Sequence, residues 1–511
     1  MSLRLAGWLV GGAVFGKLLG FAREVEMARL LGANIVADSF RGALTGVLLP
    51  VAPIQSDMLP SVLIPLHRSW CEAGSEEGGQ AQRSAALAIL LTLFAALVAA
   101  AVYALAAPWV GVLVGQFDAE ARALTVQFVR VMALAIPASV LSACLSSIEI
   151  AVGRSRISTI RASVQNLSMM AGIAIMAVAG QPLAIPLSFV VAFNLVAAYG
   201  VMALWREGTI QPGGVGPALL AEVGGAFWRR FRPLLAIPLA DQGNILLERL
   251  LASGIAIGAV ASLDYARTLT ESAFYLVSQP IGYVVLTRAA GQARASEADI
   301  ERISRVLLAV GVPASVFIAV FATDIVRVVF ARGAFDEHAV LLTTGALRGI
   351  SLGLWASTLG WVLLRMVNAT GRNGAAAAIV VTAYAANALV NLAAVPVLGT
   401  LGLGLGEAAR GLLLLGGTTA VLACGGLMLR CLARAAAEGA GLACVGGVIW
   451  AGFDGSWARL AVGVPVFGLA VAALLALHLP ELAARLASRV QRLASLPFTG
   501  GKPAPARRTS P

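Results

Sequence analysis

Six basic residues interrupt segments that are otherwise apolar over membrane length. Lys17, Arg23, Arg29 and Arg41 fall in the first two hydrophobic stretches, and Arg249 and Arg267 occupy a corresponding place in the second half. A charge at bilayer depth costs at least about 2.5–3.5 kcal/mol even on the lenient insertion scale, and such residues usually face a wet, protein-lined path. Several cations with few anions nearby suit a cargo that carries negative charge, such as a phosphate or pyrophosphate. Lys17 and Arg23 are six positions apart, about 120° around a helix, and can still line one broad wall. Glu24 and Glu26 are near enough to pair with them, which would make the group a packing device instead. Arg29 and Arg41 lie near the outer face and are expected to snorkel to the interface.

The second half offers a similar set. Asp264 and Arg267 stand three apart, so a local pair is available to them. Glu271 follows one turn on, and Glu248 with Arg249 closes the preceding segment, so Arg267 is read as cavity-lining. Pro50, Pro53, Pro60 and Pro65 crowd the second segment; prolines free carbonyls and kink a helix, which transporters tolerate along a cavity. Asp57 among them is a candidate gate, proton acceptor or charge partner. Asp241, Asn387 and Asn391 could gather oxygen donors for a hard cation such as sodium, or merely hydrogen-bond between helices. The five cysteines and three histidines are scattered, giving no metal site, disulfide framework or nucleophile pattern. No P-loop lysine follows the glycine row Gly402–Gly406, whose small residues suit close helix packing.

Positioning these residues is the task of a membrane bundle. The chain is 59% hydrophobic and 12% charged, with a mean hydropathy of +0.87; no soluble domain of this length has so apolar a surface. At about 20 residues per span, helices are expected near 5–30, 38–66, 84–107, 122–152, 158–180 and 184–205. A second set is expected near 232–258, 264–288, 304–330, 340–366, 375–397 and 403–430, with two more near 440–453 and 458–479. The count is about fourteen. Every second connection bears arginine, as at Arg68 and Arg83, Arg154 and Arg156, or Arg229 and Arg230. By the positive-inside rule both termini are cytoplasmic. The net charge of +11 follows this topology and suits anionic lipid rather than nucleic acid. The opening Met1–Gly16 runs into Lys17 without a cleavage site and reads as a permanent span.

Two patterns recur at an offset near 220 residues: Asp38-Ser-Phe-Arg41 with Asp264-Tyr-Ala-Arg267, and Ala151-Val-Gly-Arg154 with Ala369-Thr-Gly-Arg372. They imply parallel six-helix lobes with a substrate site between them. The expected divisions are 1–206 and 232–434 for the lobes and 207–231 for a cytoplasmic linker. A helix pair follows over 435–484 and a basic cytoplasmic tail over 485–511.

Lys17-Leu-Leu-Gly-Phe-Ala-Arg23-Glu, Ala28-Arg-Leu-Leu-Gly-Ala and Ala37-Asp38-Ser-Phe together resemble the amino-terminal signature of the MurJ/MviN lipid II flippases of the MOP superfamily. Phe330-Ala-Arg-Gly-Ala-Phe335 and Asn368-Ala-Thr-Gly-Arg372 are similar to later family segments. The resemblance implies an all-α polytopic membrane protein of MOP/MATE-like fold in the bacterial inner membrane, a transporter rather than an enzyme. Its expected task is to flip an undecaprenyl-pyrophosphate-linked cell-wall precursor to the periplasmic leaflet for peptidoglycan biosynthesis. It places substrate contacts at Lys17, Arg23 and Arg267, an acidic gate at Asp38, and a monovalent cation site on helices seven and eleven. Alternating access would be driven by membrane potential or by a sodium or proton gradient, with no cofactor, and one chain suffices for the path. Three departures stand at the substrate site: lysine at 17 where the family favours arginine, Pro50-Val-Ala-Pro-Ile-Gln55 where it carries paired arginines, and Ser56-Asp57-Met-Leu59 where an acidic-glycine segment follows. They widen the expected cargo to polyprenyl-pyrophosphate glycans generally, with exopolysaccharide or O-antigen units as one alternative. A cation-coupled multidrug antiporter of MATE type is the other, against which the cavity cations argue.

Overall fold

The computed structural model describes residues 3–55, 58–72, 79–271 and 296–478. Asp57, most of the expected helix over 264–288 and the basic tail lie outside the described residues. The chain opens with α1 (Leu3–Leu31), α2 (Ile35–Leu48), the short α3 (Ala52–Gln55) and α4 (Met58–Glu72). Next come α5 (Gly79–Ala104), α6 (Ala106–Leu113), α7 (Ala119–Ala133), α8 (Ile136–Ala151), α9 (Arg156–Ala179) and α10 (Ala184–Arg206). α11 (Pro217–Phe231) precedes α12 (Ala236–Ser253) and a helix over 259–271, α13. α14 (Glu297–Phe330), α15 (Glu337–Ala369), α16 (Asn373–Leu398) and α17 (Thr400–Val421) follow. α18 (Gly425–Gly452) and α19 (Ser456–His478) complete the described chain, which is helical throughout its regular structure.

The prolines expected to kink the second segment do interrupt it. Pro50 and Pro53 bring no N–H to the helical ladder, and the segment expected as one helix over 38–66 becomes α2, a 3-10 turn, α3 and α4. α7 and α8 likewise form a single expected segment bent by 46°, with proline in the first turn of α8. Side chains cap several helix starts: Asn34 accepts from the Ala37 N–H at 3.0 Å, Asp118 from Ala121 at 2.7 Å, and Asp336 from Ala339 at 2.8 Å.

Nine helical segments among the described residues are long and apolar enough to cross a membrane, or ten if the bent pair is one span. The remaining candidates are α1, α12 and α17, which carry the buried charges, and α13, which is described only in part. Length and composition therefore do not establish fourteen. The expected linker 207–231 contains α11, which buries Val223, Phe227 and Phe231 and exposes Trp228; the aromatic-basic run ends this helix rather than starting the next. Helix twelve, expected to reach 430, stops at Val421, and Ala423 adopts a left-handed φ of 55°. The short thirteenth helix expected over 440–453 is instead the full-length α18.

The packing of the two halves repeats. α1 lies on α9 and α9 on α10, as α12 lies on α16 and α16 on α17. Gly153 and Gly371, in the two recurrent Gly-Arg turns, have φ of 82° and 78°. In the second half α15 and α17 cross without side chains between them: a Cβ on Gly353 would lie 2.2 Å from the Ala408 Cα, and one on Gly404 would lie 2.4 Å from the Ala346 carbonyl oxygen. Small residues permit such approach in bundles, where backbone packing replaces the hydrophobic drive. The last two helices dock on α14, α19 through Phe467 against Phe317 and Phe321 and through Arg459, 3.5 Å from the buried Asp324.

Candidate functional site

The charged residues converge where α1, α2, α12 and α13 meet. Glu24 is 3% exposed and accepts from both Arg23 and Arg41, one guanidinium on each carboxylate oxygen. Arg23 also reaches the Met169 sulfur on α9 at 3.5 Å. Arg41 is 4% exposed, so it does not snorkel to the interface as expected; the face of α2 that carries it turns inward, and its guanidinium lies over Tyr265 at 5.7 Å. Arg29 does reach outward, 3.6 Å from Glu26. Asp264 accepts from Arg249 Nη2 on both carboxylate oxygens, at 2.7 and 2.9 Å, and lies 3.5 Å from the Arg41 Nε. The local Asp264–Arg267 pair expected from their spacing does not form.

Asp38 is buried, and its carboxylate caps α13: one oxygen accepts the Gly258 N–H at 2.6 Å and the other the Ala261 N–H at 2.8 Å. The dipole and unpaired N–H groups of a helix start favour an anion there. Around this cap three turns close one end of the molecule. The Tyr265 hydroxyl donates to the Gly32 carbonyl at 2.9 Å, and the Ala334 N–H donates to the Arg29 carbonyl at 2.8 Å. Gly32 and Gly258 have φ of 67° and 90°, and a Cβ on either would stand 2.3 or 2.4 Å from a neighbouring carbonyl oxygen. Glycine is required at both for conformation and for space.

A second cluster lies deeper in the second half. Arg267 donates through Nη2 to Glu248 at 2.5 Å and to Glu407 at 2.6 Å. Glu407 in turn accepts from Arg410 Nε at 2.8 Å. The other Glu248 oxygen accepts from Asn244 at 2.9 Å and Asn387 at 3.1 Å, and Asn391 donates to Asn387 at 2.6 Å. The Asn244 and Asn391 side-chain oxygens are buried without a hydrogen-bond donor among the described residues. A Cβ on Gly406 would come within 2.1 Å of the Asn391 oxygen, so glycine makes room for the amides. Asn387 and Asn391 therefore come together as expected, but their acidic partner is Glu248. Asp241, two turns earlier on α12, instead accepts from Gln242 at 3.1 Å and neighbours Tyr384. Two buried amide oxygens with unused lone pairs thus stand beside the Glu248 carboxylate.

The expectation of many cations and few anions is corrected by this geometry. Arg23 and Arg41 share Glu24, Arg249 has Asp264, and Arg267 has Glu248 and Glu407. Lys17, on α1, and Glu271, on α13, are both exposed and feel each other's charge. Glu407, Arg410 and Asn244 are absent from the sequence-based set. An acid and a base three apart in an apolar segment is the Asp264/Arg267 signature, and it stands equally at Glu407/Arg410. A cavity of about 250 Å³ lies beside this cluster, lined by Arg267, Glu271, Ser357, Tyr384, Glu407 and Arg410 among others.

Residues 27–471 match the family model described as lipid II flippase MurJ. A probable lipid II flippase MurJ from Rhizobium tropici is 27% identical over 432 residues, covering 80% of this chain and 79% of its own. Its counterpart from Rhizobium meliloti (strain 1021) is 28% identical over 386 residues, covering 70% and 69%. A solved lipid II flippase MurJ in an inward closed conformation superposes with a TM-score of 0.79 at 14% identity, over 93% of this chain and 99% of that one. An inward-facing multidrug resistance MATE family transporter of the MOP superfamily gives 0.59 at 14% identity, over 83% and 95%. Both structural likenesses concern the fold.

Proposed function

The chain belongs to the lipid II flippase MurJ family, and we propose that it carries lipid II, an undecaprenyl-pyrophosphate glycan, from the cytoplasmic to the periplasmic leaflet. It is a multi-pass membrane transporter, not an enzyme. The observation that carries the cargo reading is the gathering of guanidiniums in two neighbouring clusters, Arg23, Arg41 and Arg249 in one and Arg267 in the other, deeper in the second half. Guanidinium forks match pyrophosphate oxygens, and the exposed Lys17 adds a point charge at the cavity wall. Asp38 and the three turns around it form the periplasmic gate, closed here, while cargo is received from the other side. Glu24, Arg41, Asp264 and Glu271 are the charge partners that re-pair when that gate opens. A sodium ion held by Glu248, Asn244, Asn387 and Asn391 resets the carrier, and the membrane potential drives the loaded step. Both termini are cytoplasmic, anionic lipids surround the arginine-rich loops, and one chain forms the path.

A second reading has its own observation. The stretch Leu49–Gln55 contains no cation, and Gln55 Nε2 is engaged by the Ser139 hydroxyl oxygen at 2.6 Å. A cargo with a different glycan, such as a surface polysaccharide unit, would suit a site altered there.

The deciding experiment is complementation of a bacterium whose own lipid II flippase can be switched off. Rescue of growth and of periplasmic lipid II by the wild type, and not by an equally abundant Arg23→Ala, is the expected result. Failure by well-inserted wild-type protein would overturn the lipid II reading and direct attention to lost surface polysaccharide in a deletion strain.

A further inference from the structure

We propose that Arg410 and Arg267 form an oxyanion subsite in the second half of the protein, held by the Glu407 carboxylate when empty and taken by the cargo's pyrophosphate on loading. The inference rests on the cargo class argued above and names a contact for it that the amino-terminal signature does not contain.

The Glu407 carboxylate sits between two guanidiniums as a bound anion would. One oxygen accepts from Arg267 Nη2 at 2.6 Å, and the other accepts from Arg410 Nε at 2.8 Å and lies 2.6 Å from Arg410 Nη2. Both prongs of the Arg410 guanidinium converge on that one oxygen, and the fork they belong to is the group by which arginine recognises carboxylate and phosphate alike. Donors remain: Arg267 Nε and Nη1 and Arg410 Nη1 make no hydrogen bond among the described residues. These two side chains line the cavity of about 250 Å³, with Ser357 and Tyr384 on its wall. Arg410 is held in place from behind, its guanidinium 5.6 Å from the centre of the Tyr384 ring. It is also held by the helix beneath: Gly411 packs so tightly on α15 that a Cβ there would stand 2.2 Å from the Ser357 oxygen.

The location answers a deficit elsewhere. Leu49–Gln55 brings no cation to the cavity, so a pyrophosphate meeting Arg23 and Arg267 needs further donors, and Arg410 is the adjacent guanidinium with one to offer. A pyrophosphate carries more charge and more acceptor oxygens than one carboxylate, so it displaces Glu407 from the arginines while Glu407 turns into the cavity. Glu407 is thereby a built-in competitor, which keeps the two cations paired when no cargo is present.

The test uses the full chain in lipid nanodiscs, with undecaprenyl pyrophosphate as the probe and inorganic pyrophosphate as its competitor. Arg410→Gln is expected to weaken binding about tenfold or more, the scale of one charge-assisted contact, and Arg410→Lys to restore only part of it. Glu407→Gln removes the competitor and is expected to tighten binding. A structural ion pair would give the opposite sign, because Glu407→Gln would loosen the same arginines. Wild-type affinity in Arg410→Gln, or weaker binding in Glu407→Gln, would overturn the subsite. Inorganic pyrophosphate that displaces the lipid in the wild type but not in Arg410→Gln assigns the contact to the headgroup; displacement unaffected by the substitution rejects it. Complementation separates the two claims. A protein that binds the probe through Arg410 yet fails to rescue keeps the subsite and loses the lipid II reading, and full rescue by Arg410→Gln with unchanged affinity does the reverse.

Discussion

Asp38 Oδ2 accepts the Gly258 N–H at 2.6 Å, so a carboxylate on α2 caps a helix 220 positions away in sequence. The same carboxylate takes the Ala261 N–H, which makes it one of the links between the two halves at the closed end. Removing a helix cap costs about 1–2 kcal/mol, a factor of about 5–30 in an equilibrium. Ser262 is buried nearby and its hydroxyl has no hydrogen-bond partner among the described residues, so Ser262→Cys is a mild reporter. Asp38→Ala should raise maleimide labelling of that cysteine by about the same factor over the background of the native thiols. Unchanged labelling would mean that the cap does not hold the end shut.

Glu24 and Arg23 should differ sharply when removed. Glu24→Gln leaves Arg41 buried with only the more distant Asp264, and breaking a buried pair costs about 3–5 kcal/mol. Arg23, whose side chain is 20% exposed, can be hydrated when its partner role is lost. Arg23→Gln should therefore cost about 1 kcal/mol or less. Thermal unfolding of the purified variants checks the order, and equal losses would refute the view that Arg41 is the principal partner of Glu24.

Sodium should stabilise the wild type against unfolding, by up to about 2.7 kcal/mol at a hundredfold excess over Kd. Asn391→Ala and Glu248→Gln should each abolish most of that increment, while Asp241→Ala should preserve it. Loss of the increment in Asp241→Ala alone would return the ion to the place that spacing first suggested.

Gly353→Ala and Gly416→Ala test the close crossing of α15 and α17. The first drives a methyl group to 2.2 Å from the Ala408 Cα, whereas nothing lies within 4 Å of the Gly416 position. Overpacking costs typically about 1–3 kcal/mol, while alanine in place of an open helical glycine gains up to about 1 kcal/mol. Melting temperatures moving in opposite directions are expected; a neutral Gly353→Ala would show that the helices slide apart easily.

The sequence revealed which segments hold buried charge but not which way each faces. Lys17, Arg23 and Arg267 stand out by type alone, because arginine in an apolar helix needs a reason wherever it points. Nearness to a helix end says nothing of rotation about the axis, and the face that carries Arg41 turns toward Glu24 and Tyr265. Partner identity is a tertiary property: Asp264 is three residues from Arg267 yet pairs with Arg249 from the preceding helix. The broken second helix was legible in its prolines, whereas the break at Ala423 has no proline to announce it.

The near one-to-one matching of acids and bases has an electrical consequence. A carrier whose internal charges cancel moves little net charge when it reorients empty, so the membrane voltage neither helps nor hinders that step. Loaded, it adds the formal charge of its passenger, and an anion leaving a negative interior is favoured by about 2.3 kcal/mol per elementary charge per 100 mV. Under the proposed direction of travel, current would flow with the cargo, and the return would carry only the charge of a bound sodium ion, making the cycle a rectifier whose asymmetry is set by what it carries.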